Sequence, residues 1–579
     1  MKVAIVQQRI YSGNIKKNFE NIKQTIETWK DKADLIVFPE MAVSGYFIGD
    51  RYTNKDLEKE LLELNEAIRE LSQGTAVIWG SIHKNESKLY NAAYFAIDGA
   101  WAKRESGKDD GLYTKHLLPT YSVFDDARYF EVGNGNFEPF IFNNKKISIQ
   151  VCEDLWDEGY DVSPTKEMLK YQPDVMINIS TSPWTKTKDN ARLEAIKRHE
   201  FDIPFVYVNA TGMQNNGKNV MVFDGGSLVV KEDTIYKLPN NFESTVELVD
   251  LDSFQNHDSK VENKLYQAIL KGIEYFDEES LPYKPKWIVG VSGGLDSSVT
   301  VALLTKALGK ERVLGVTMPS RFTRDITKTN AYHLKEKLGI DFKEIPIGDM
   351  VDASVAGLPY DKVEGLSYEN IQARLRGHTL MSVASLENGV VSNNGNKIEV
   401  AFGYATLYGD AIGALGILGD LSKMEVGMIA ECLNKDDEIV PSNLIPKVLD
   451  HEVAWGFAPS AELAQDQFDP MKWGYHDTLV DYLNHNPLSE LLEMYRSGDI
   501  YNHELGSMLK TYGLDKGEAF IKDLRWVLRT INTATYKRIQ MPPILTVSED
   551  AYGTGLRESQ LPSYINEENE NLMADIENN

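Results

Sequence analysis

Residues 286–308 read KWIVGVSGGLDSSVTVALLTKAL, a pattern that predicts a strand, a tight turn and a helix in succession. The apolar run at 286–291 is typical of a short buried strand, and Val299, Leu303 and Leu308 recur afterwards at helical spacing. The first N–H groups of a helix have no partner within it, and glycines and serine hydroxyls beside them suit a bound anion. The stretch therefore predicts a phosphate-binding turn at the end of a β-strand.

The loop itself, at 292–298 (SGGLDSS), excludes the commonest nucleotide-binding motif. No lysine follows its glycines, as the pattern Gly-x-x-x-x-Gly-Lys-Ser/Thr of P-loop kinases and GTPases requires. The loop instead contains Asp296, whose carboxylate is a hard oxygen ligand of the kind that holds Mg²⁺ beside phosphates. An ordinary strand-to-helix turn is the alternative, but a carboxylate inside a loop with two glycines and three serines is unusual for a simple connector.

The string SGGxDS resembles the loop of the ATP pyrophosphatases, which bind the pyrophosphate end of ATP and release it after adenylylating a substrate. The resemblance implies an AMP-forming ligase. By the same resemblance, the residues that bind ATP are Gly290, Val291, Ser292, Gly293, Gly294, Leu295, Asp296, Ser297 and Ser298.

A second pattern lies in the first half of the chain, where Cys152 ends an apolar alternating run followed by two acids. The chain has only two cysteines, which excludes a disulfide framework and fits a reducing compartment. A lone cysteine is more often a small buried side chain than a nucleophile. However, Glu40 ends the buried run LIVFPE and Lys115 lies in LYTKHLLP. A thiol needs a base, and the oxyanion it forms on an amide needs a cation, so these three residues suit amide cleavage.

The strings FPE, YTKHLLP and VCEDLW, in this order, resemble the glutamine amidase branch of the nitrilase superfamily. The resemblance extends to INISTSP at 177–183, FVYVN at 205–209 and FDGGS at 223–227, and so covers nearly all of residues 1–250. It implies that Glu40 is the general base, Lys115 the oxyanion stabiliser and Cys152 the nucleophile that forms a glutamyl thioester. The glutamine-binding positions that it implies are Tyr121, Glu153, Ser182 and Lys188.

An amidase joined to an adenylylating loop is similar to the glutamine-dependent NAD synthetases, in which glutamine supplies ammonia and ATP activates nicotinic acid adenine dinucleotide. The second half agrees in MPSR at 318–321, NIQARLR at 370–376, GYATLYGD at 403–410 and PSAEL at 459–463. The family implies ATP and Mg²⁺ without a redox cofactor, an ammonia channel, and a homodimer or larger symmetric oligomer. The family also implies that Asn394 binds ATP and that Asp296 and Glu399 bind the metal. The positions that it implies for the dinucleotide are Asn370, Arg374, Glu399 and Lys537. Arg376 is an alternative to Arg374 as the residue that pairs with phosphate.

Two segments depart from the family pattern. Residues 393–399 read NNGNKIE where the family commonly has TTGNKSE, and 552–562 read YGTGLRESQLP in place of an arginine-rich ending. Because Asn394 still donates and accepts hydrogen bonds, a changed nucleotide fit is favoured over a lost one. These departures leave open a glutamine-dependent AMP-forming ligase for another carboxylate. A binding or regulatory protein with decayed catalysis is a third, separate alternative.

The length of 579 residues exceeds a single hydrophobic core and predicts two large domains. We expect an αββα nitrilase-like sandwich over 1–255, as the resemblance implies. Alternating strands and helices predict a doubly wound parallel sheet over 256–565. Residues 566–579 carry five acids and few apolar groups, which predicts a disordered tail.

The net charge of −26 opposes binding to nucleic acids and anionic membranes, which argues against a tRNA-modifying enzyme. The start of the chain, MKVAIVQQ, predicts a strand and not a signal peptide. No apolar run reaches the roughly 18 residues of a membrane span. The sequence therefore favours a cytoplasmic protein.

Overall fold

The computed structural model describes residues 1–449, 452–464, 469–553, 555–562 and 564–578. The chain divides into two compact units, Met1–Glu279 and Ser280–Asn579. Within the described residues, no helix is both long and apolar enough to cross a membrane.

The first unit contains fifteen described strands and five α-helices. The strands are β1 (Lys2–Gln7), β2 (Leu35–Val37), β3 (Ala76–Asn85), β4 (Lys88–Ile97), β5 (Ala100–Trp101), β6 (Leu112–Thr114), β7 (Phe140–Phe142), β8 (Lys145–Val151), β9 (Val175–Ser180), β10 (Phe205–Asn209), β11 (Thr211–Asn215), β12 (Asn219–Asp224), β13 (Leu228–Lys231), β14 (Thr234–Lys237) and β15 (Thr245–Asp250). The helices are α1 (Ile15–Trp29), α2 (Lys55–Leu71), α3 (Pro164–Leu169), α4 (Lys188–Lys197) and α5 (Lys264–Ser280).

Two sheets face each other at the centre of this unit. One has the order β15-β1-β2-β3-β4-β5 with β6 also beside β4, and the other has the order β14-β13-β10-β9-β8-β7. Their inner faces share one apolar core, in which Val3 and Phe95 of the first sheet join Ile149, Ile177 and Val206 of the second. Helices α1 and α2 cover the outer face of the first sheet with apolar stripes at helical spacing. Helices α3 and α4 pack on the second sheet, which confirms the predicted αββα sandwich.

The second unit contains the remaining described elements. Its strands are β16 (Lys286–Gly290), β17 (Val313–Thr317), β18 (Asp341–Glu344), β19 (Gly389–Asn393), β20 (Leu415–Gly416), β21 (Lys447–Leu449), β22 (Glu452–Ala454), β23 (Ile544–Thr546), β24 (Tyr552–Gly553) and β25 (Leu556–Arg557). Its helices are α6 (Leu295–Leu308), α7 (Asp325–Leu338), α8 (Gly348–Ala356), α9 (Leu366–Leu386), α10 (Lys397–Phe402), α11 (Lys423–Leu433), α12 (Tyr475–His485), α13 (Leu488–Ser497), α14 (Glu504–Leu509), α15 (Gly517–Thr533), α16 (Thr535–Gln540) and α17 (Glu567–Asn578).

The main sheet of this unit is parallel and runs in the order β23-β20-β19-β16-β17-β18. The chain adds strands on one side of β16 with β17 and β18, and then returns to its other side with β19 and β20. The turns after β16 and β19 therefore leave the same edge of the sheet at the point where the strand order reverses. Open α/β sheets bind their ligands at this point. The predicted doubly wound parallel sheet is confirmed.

The boundary between the units falls after Glu279 and not near residue 255. The reason is α5, which the sequence analysis gave to the second domain but which is anchored in the first. At its start, Lys264 Nζ donates hydrogen bonds to Asp189 and Asp224 at 2.7 and 2.8 Å. Further along, the Tyr275 hydroxyl donates to the Phe242 carbonyl oxygen at 2.7 Å.

The buried carboxylate of Asp224 should stabilise this arrangement strongly. Burial alone would raise its pKa, but Arg192 and Lys264 overcome this effect and lower the pKa from 3.8 to about 2. We expect Asp224→Asn to lower the free energy of unfolding by about 3–5 kcal/mol, because it removes the close carboxylate partner of the buried Arg192 and leaves Lys264 with Asp189 alone. The native stabilisation is present above pH 3.8 and is lost as the pH falls toward 2.

Denaturant unfolding at pH 7 and pH 3 measures this effect. Asp189→Asn is the matched control, because Asp189 binds the same lysine but is 44% exposed. A surface ion pair contributes about 0–1 kcal/mol, so this control should change stability little. Equal effects of the two substitutions would contradict the assignment.

The acidic tail differs from the expectation of disorder, because residues 567–578 form α17. Met573 and Ile576 lie three positions apart and are buried in the same apolar cluster as Phe520 and Leu524 of α15. Where α15 and α17 pack together, Arg525 Nη2 also forms an ion pair with Glu570 Oε2 at 2.6 Å. The acids lie between the residues of this apolar stripe, so the segment is an amphipathic helix. Its composition alone does not show this spacing.

Candidate functional site

In the first unit, both carboxylate oxygens of Glu40 accept hydrogen bonds. It follows β2 and is fully buried. Its Oε1 accepts hydrogen bonds from Lys115 Nζ at 3.1 Å and from Asn91 Nδ2 at 2.7 Å. Its Oε2 accepts from the Thr181 backbone N–H at 2.8 Å. The predicted base and the predicted oxyanion stabiliser are therefore in direct contact, although they are 75 positions apart in the sequence.

Cys152 begins a short 3₁₀ turn directly after β8. Its φ of 43° lies in the left-handed region, where a residue with a side chain is strained. Cys152 is buried, with 6% of the residue exposed. Burial, and next the charge of Glu40, raise the pKa of the Cys152 thiol, while Lys115 opposes them. Cys152 is therefore a thiol at neutral pH and needs a base to react.

Asp126 is a further buried group that the sequence analysis missed. Its Oδ2 accepts a hydrogen bond from Lys115 Nζ at 2.8 Å, and its Oδ1 accepts one from the Tyr46 hydroxyl. Burial alone would lower the pKa of Lys115, but Asp126 and then Glu40 raise it well above its ordinary value. Lys115 therefore stays charged. Nothing in the sequence separates Asp126 from its neighbour Asp125.

Two of the predicted glutamine-binding residues are joined beside the thiol. The Tyr121 hydroxyl donates a hydrogen bond to Glu153 at 3.0 Å, as does the hydroxyl of Tyr160, which the sequence analysis missed. Burial raises the pKa of Glu153, while Lys115 opposes the shift.

The other two predicted glutamine-binding residues, Ser182 and Lys188, lie near Glu40 and Glu153. Ser182 is buried, and its N–H donates to Asn209 Oδ1 at 2.8 Å. The neighbouring Thr181 binds Glu40. Lys188 lies over the Trp156 ring at 4.3 Å, and its charge lowers the pKa of Glu153 as one of the smaller contributions.

In the second unit, the serine-glycine loop lines a cavity of about 330 Å³. Most of the predicted ATP-binding residues line it. Asn394 is one of them, and its Nδ2 donates to the Gly290 carbonyl oxygen at 2.9 Å. Gly293 and Ser298 lie outside the lining. Gly293 has a φ of +83°, and a Cβ there would meet the Thr327 carbonyl oxygen at 2.1 Å, so this glycine shapes the turn. The Ser298 hydroxyl donates to the Gly294 carbonyl oxygen at 2.7 Å.

Three carboxylates and a lysine meet at one end of this cavity. Asp296, Glu399 and Asp469 line it together with Lys423, whose ammonium donates to Asp296. Burial, and next the charge of Asp296, raise the pKa of Glu399 to about 8, while Lys423 opposes the shift. Such crowded carboxylate oxygens are the ligand set that Mg²⁺ prefers, so the two predicted metal ligands fit that ion. The sequence analysis missed Lys423 and Asp469.

The predicted dinucleotide-binding residues divide into two groups. Glu399 lines the cavity, whereas Asn370, Arg374 and Lys537 lie outside the lining and contact the 403–407 segment. Arg376 lines the cavity instead of Arg374, and its Nε donates to the Met318 carbonyl oxygen at 3.2 Å. Burial lowers the pKa of Arg376 to about 10, so it is charged at neutral pH.

Comparisons with known proteins agree with both halves of this description. Residues 2–254 match the family model of the carbon-nitrogen hydrolases, and residues 275–504 match that of NAD synthase. The glutamine-dependent NAD(+) synthetase of Synechocystis is 31% identical, over 96% of this chain and 97% of that protein. The enzyme of the same description from Thermotoga maritima is 29% identical, over 96% of this chain and 98% of its own.

Solved structures give the same result. The glutamine-dependent NAD⁺ synthetase of Acinetobacter baumannii, in complex with ADP, has a TM-score of 0.70 and 25% identity, over 93% of this chain and 94% of that one. A synthetase from Cytophaga hutchinsonii has the same fold, with a TM-score of 0.74, 16% identity and coverage of 100% and 99%. On its similarity over nearly the whole length to these proteins, the chain belongs to the family of glutamine-dependent NAD(+) synthetases.

Proposed function

We propose that this protein converts nicotinic acid adenine dinucleotide to NAD⁺, using glutamine as the nitrogen donor and ATP as the activating co-substrate. The observation that supports the proposal is the presence of two candidate sites with complementary chemistry in one chain. A buried thiol lies with a carboxylate and an ammonium group in the first unit, and a phosphate-binding loop faces an acidic cluster in the second.

The first half-reaction releases ammonia. Glu40 removes the proton of the Cys152 thiol as the sulfur attacks the amide carbon of glutamine, and the resulting oxyanion is stabilised by the ammonium group of Lys115. The proton then passes from Glu40 to the leaving nitrogen, and ammonia and a glutamyl thioester form. Water activated by Glu40 hydrolyses the thioester to glutamate and restores the thiol.

Asp126 and the glutamine pocket support this half-reaction indirectly. Asp126 keeps Lys115 charged and in place, although Glu40 must alternate between its two protonation states. Tyr121 and Glu153 position the substrate beside the thiol, and their hydrogen bond limits the number of arrangements that the pocket adopts. Ser182 and Lys188 would complete the contacts to glutamine.

The second half-reaction forms the amide. A carboxylate oxygen of the dinucleotide attacks the α-phosphorus of ATP, pyrophosphate leaves, and ammonia then displaces AMP from the acyl adenylate. The N–H groups of the 292–298 loop would hold the phosphates, with Asn394 and Lys423 at the same cavity. When bound, Mg²⁺ held by Asp296 and Glu399 would neutralise charge on the phosphates. The ADP complex of the Acinetobacter baumannii relative supports an adenine nucleotide in this type of fold.

AMP release tests the proposal directly. Nicotinic acid adenine dinucleotide, ATP, Mg²⁺ and either glutamine or ammonium are supplied to the full chain, and AMP, pyrophosphate and NAD⁺ are measured. We expect equal amounts of the three products with either donor. AMP release with another carboxylate and none with the dinucleotide would favour the alternative ligase, as the altered 393–399 segment suggests. No AMP with any carboxylate would overturn both proposals.

The glutamine-dependent activity should be lost at low pH under conditions in which the ammonia-dependent activity persists. Burial, opposed chiefly by Lys115, raises the pKa of Glu40 above 4.5, and only its deprotonated form accepts the proton of the thiol. We expect kcat/KM for glutamine to fall as the pH drops through this raised value. The same measurement with ammonia, corrected for its protonated fraction, is the internal control because it bypasses Glu40. Identical acid limits for the two donors would contradict the role of Glu40.

Two further predictions rest on the family resemblance alone. One is the enclosed transfer of ammonia from Cys152 to the acyl adenylate, and the other is assembly as a homodimer or a larger symmetric oligomer.

A further inference from the structure

A histidine and two aspartates lie close together in the Ser280–Asn579 unit, apart from the acidic cluster of Asp296. Asp481 and His485 stand four positions apart on one face of α12, and Asp550 comes from the segment between β23 and β24. One ligand atom from each of the three lies within 4.8 Å of the others. None of the three lines the cavity of the serine-glycine loop, so this group is separate from the proposed ATP site.

The imidazole of His485 is held by contacts at both of its ring nitrogens. Its Nδ1 lies 2.8 Å from the backbone carbonyl oxygen of Asp481. A carbonyl oxygen only accepts, so Nδ1 carries a hydrogen and Nε2 faces Asp550 Oδ2 at 2.9 Å. Their lone pairs repel at this distance unless a proton or a metal ion lies between them. Metal-binding histidines are commonly fixed in this way, with one ring nitrogen donating to a carbonyl group.

The partner carboxylate is held by its own segment. The N–H groups of Val547 and Ser548 both donate to the buried Asp420 at 2.7 Å, which fixes the backbone shortly before Asp550. The side chain of Asp550 is 19% exposed, whereas that of His485 is 53% exposed. A tetrahedral zinc ion, with ligands at about 2.0–2.1 Å, keeps its ligand atoms roughly 3.3 Å apart. Because His485 Nε2 and Asp550 Oδ2 are already close, rotation of the exposed Asp481 side chain alone can bring its oxygen to that spacing.

We propose that Asp481, His485 and Asp550 bind one divalent cation of the zinc class, which joins the end of α12 to the 547–551 segment. One imidazole nitrogen and two carboxylate oxygens are ligands that Zn²⁺ accepts, with water in the fourth position. Mg²⁺ is disfavoured because it prefers oxygen ligands alone. Two carboxylates beside a neutral imidazole carry two negative charges, which the ion neutralises.

Calorimetric titration of the full-length protein with Zn²⁺ tests the site. Both cysteines are first alkylated and Mg²⁺ is kept saturating, so that thiols and sites made of oxygen ligands alone do not compete. We expect one Zn²⁺ per chain in the native protein, and affinity at least about tenfold weaker in His485→Ala and Asp550→Asn. Zinc should also raise the Tm of the native protein more than that of either variant.

His257→Ala is the matched control for this experiment. His257 is also exposed, and its Nδ1 also faces a backbone carbonyl oxygen, that of Lys237 at 2.9 Å, but it is not part of the group. This variant should bind zinc like the native protein. Equal zinc affinity in His485→Ala and the native protein would overturn the proposal, because the ion would then lie elsewhere. Absence of zinc binding by the native protein would overturn it as well, and would leave His485 as a simple ion-pair partner of Asp550.

Discussion

Replacing Cys152 by alanine is expected to reduce glutamine-dependent AMP and NAD⁺ formation by at least about 10³-fold and to leave the ammonia-dependent rate within about twofold. Amide cleavage needs the sulfur as its nucleophile, whereas free ammonia enters the reaction after that step. Because alanine removes only the sulfur atom at a buried position, the Glu40–Lys115 contact should persist. Steady-state assays with each donor at saturating dinucleotide and ATP measure the two rates separately.

The chain contains a matched control for this experiment. Cys432 is the other cysteine and is half-buried in α11, outside the amidase unit. Cys432→Ala should keep both activities. Loss of ammonia-dependent activity in Cys152→Ala would show that the substitution damages more than the thiol. Undiminished glutamine use would remove Cys152 from the mechanism.

Replacing Asp296 by asparagine should impair the synthetase reaction and spare the glutaminase reaction. We expect AMP formation with both donors to fall by about 10²–10³-fold, while hydrolysis of glutamine to glutamate continues. The substitution removes a charged oxygen ligand from the acidic cluster and deprives Lys423 of its ion-pair partner. Because the amide of asparagine has nearly the same shape, the loop should keep its backbone. Pyrophosphate release and glutamate release are measured in parallel.

Asp325→Asn is the control for charge alone. Asp325 lies in the first turn of α7, as Asp296 lies in the first turn of α6, but Asp325 is exposed and does not line the cavity. It should retain both activities. If Asp296→Asn kept full AMP formation at low Mg²⁺ concentrations, the assignment of Asp296 as a metal ligand would be wrong.

The sequence was most informative where one short string carries both a structural element and its chemistry. The strand–loop–helix at 286–308 predicted the edge of the parallel sheet at which the cavity is found, since a carboxylate among glycines and serines at a strand end is unusual for a simple connector. The strings around Glu40 and Lys115 located two groups that the fold brings into contact. Such patterns are local, so they can be recognised without knowledge of the fold.

Groups that act only through distant partners were not predictable in this way. Lys423 contacts Asp296 across 127 positions of sequence, and its own segment resembles an ordinary helix start. Asp126 differs from Asp125 only in that it is buried against Lys115. Composition was also misleading for 567–578, because counting acids concealed the stripe of Met573 and Ile576.

By itself, the sequence predicted two large domains, the group of Glu40, Lys115 and Cys152, and the loop at 292–298, because side-chain chemistry and backbone periodicity are properties of short segments. Only the tertiary structure decided which charges meet. It placed Lys115 between two carboxylates, Lys423 within an acidic cluster, and α5 with the first unit. These outcomes depend on burial and on contacts between distant segments, where the loss of water makes the interaction between two charges strong.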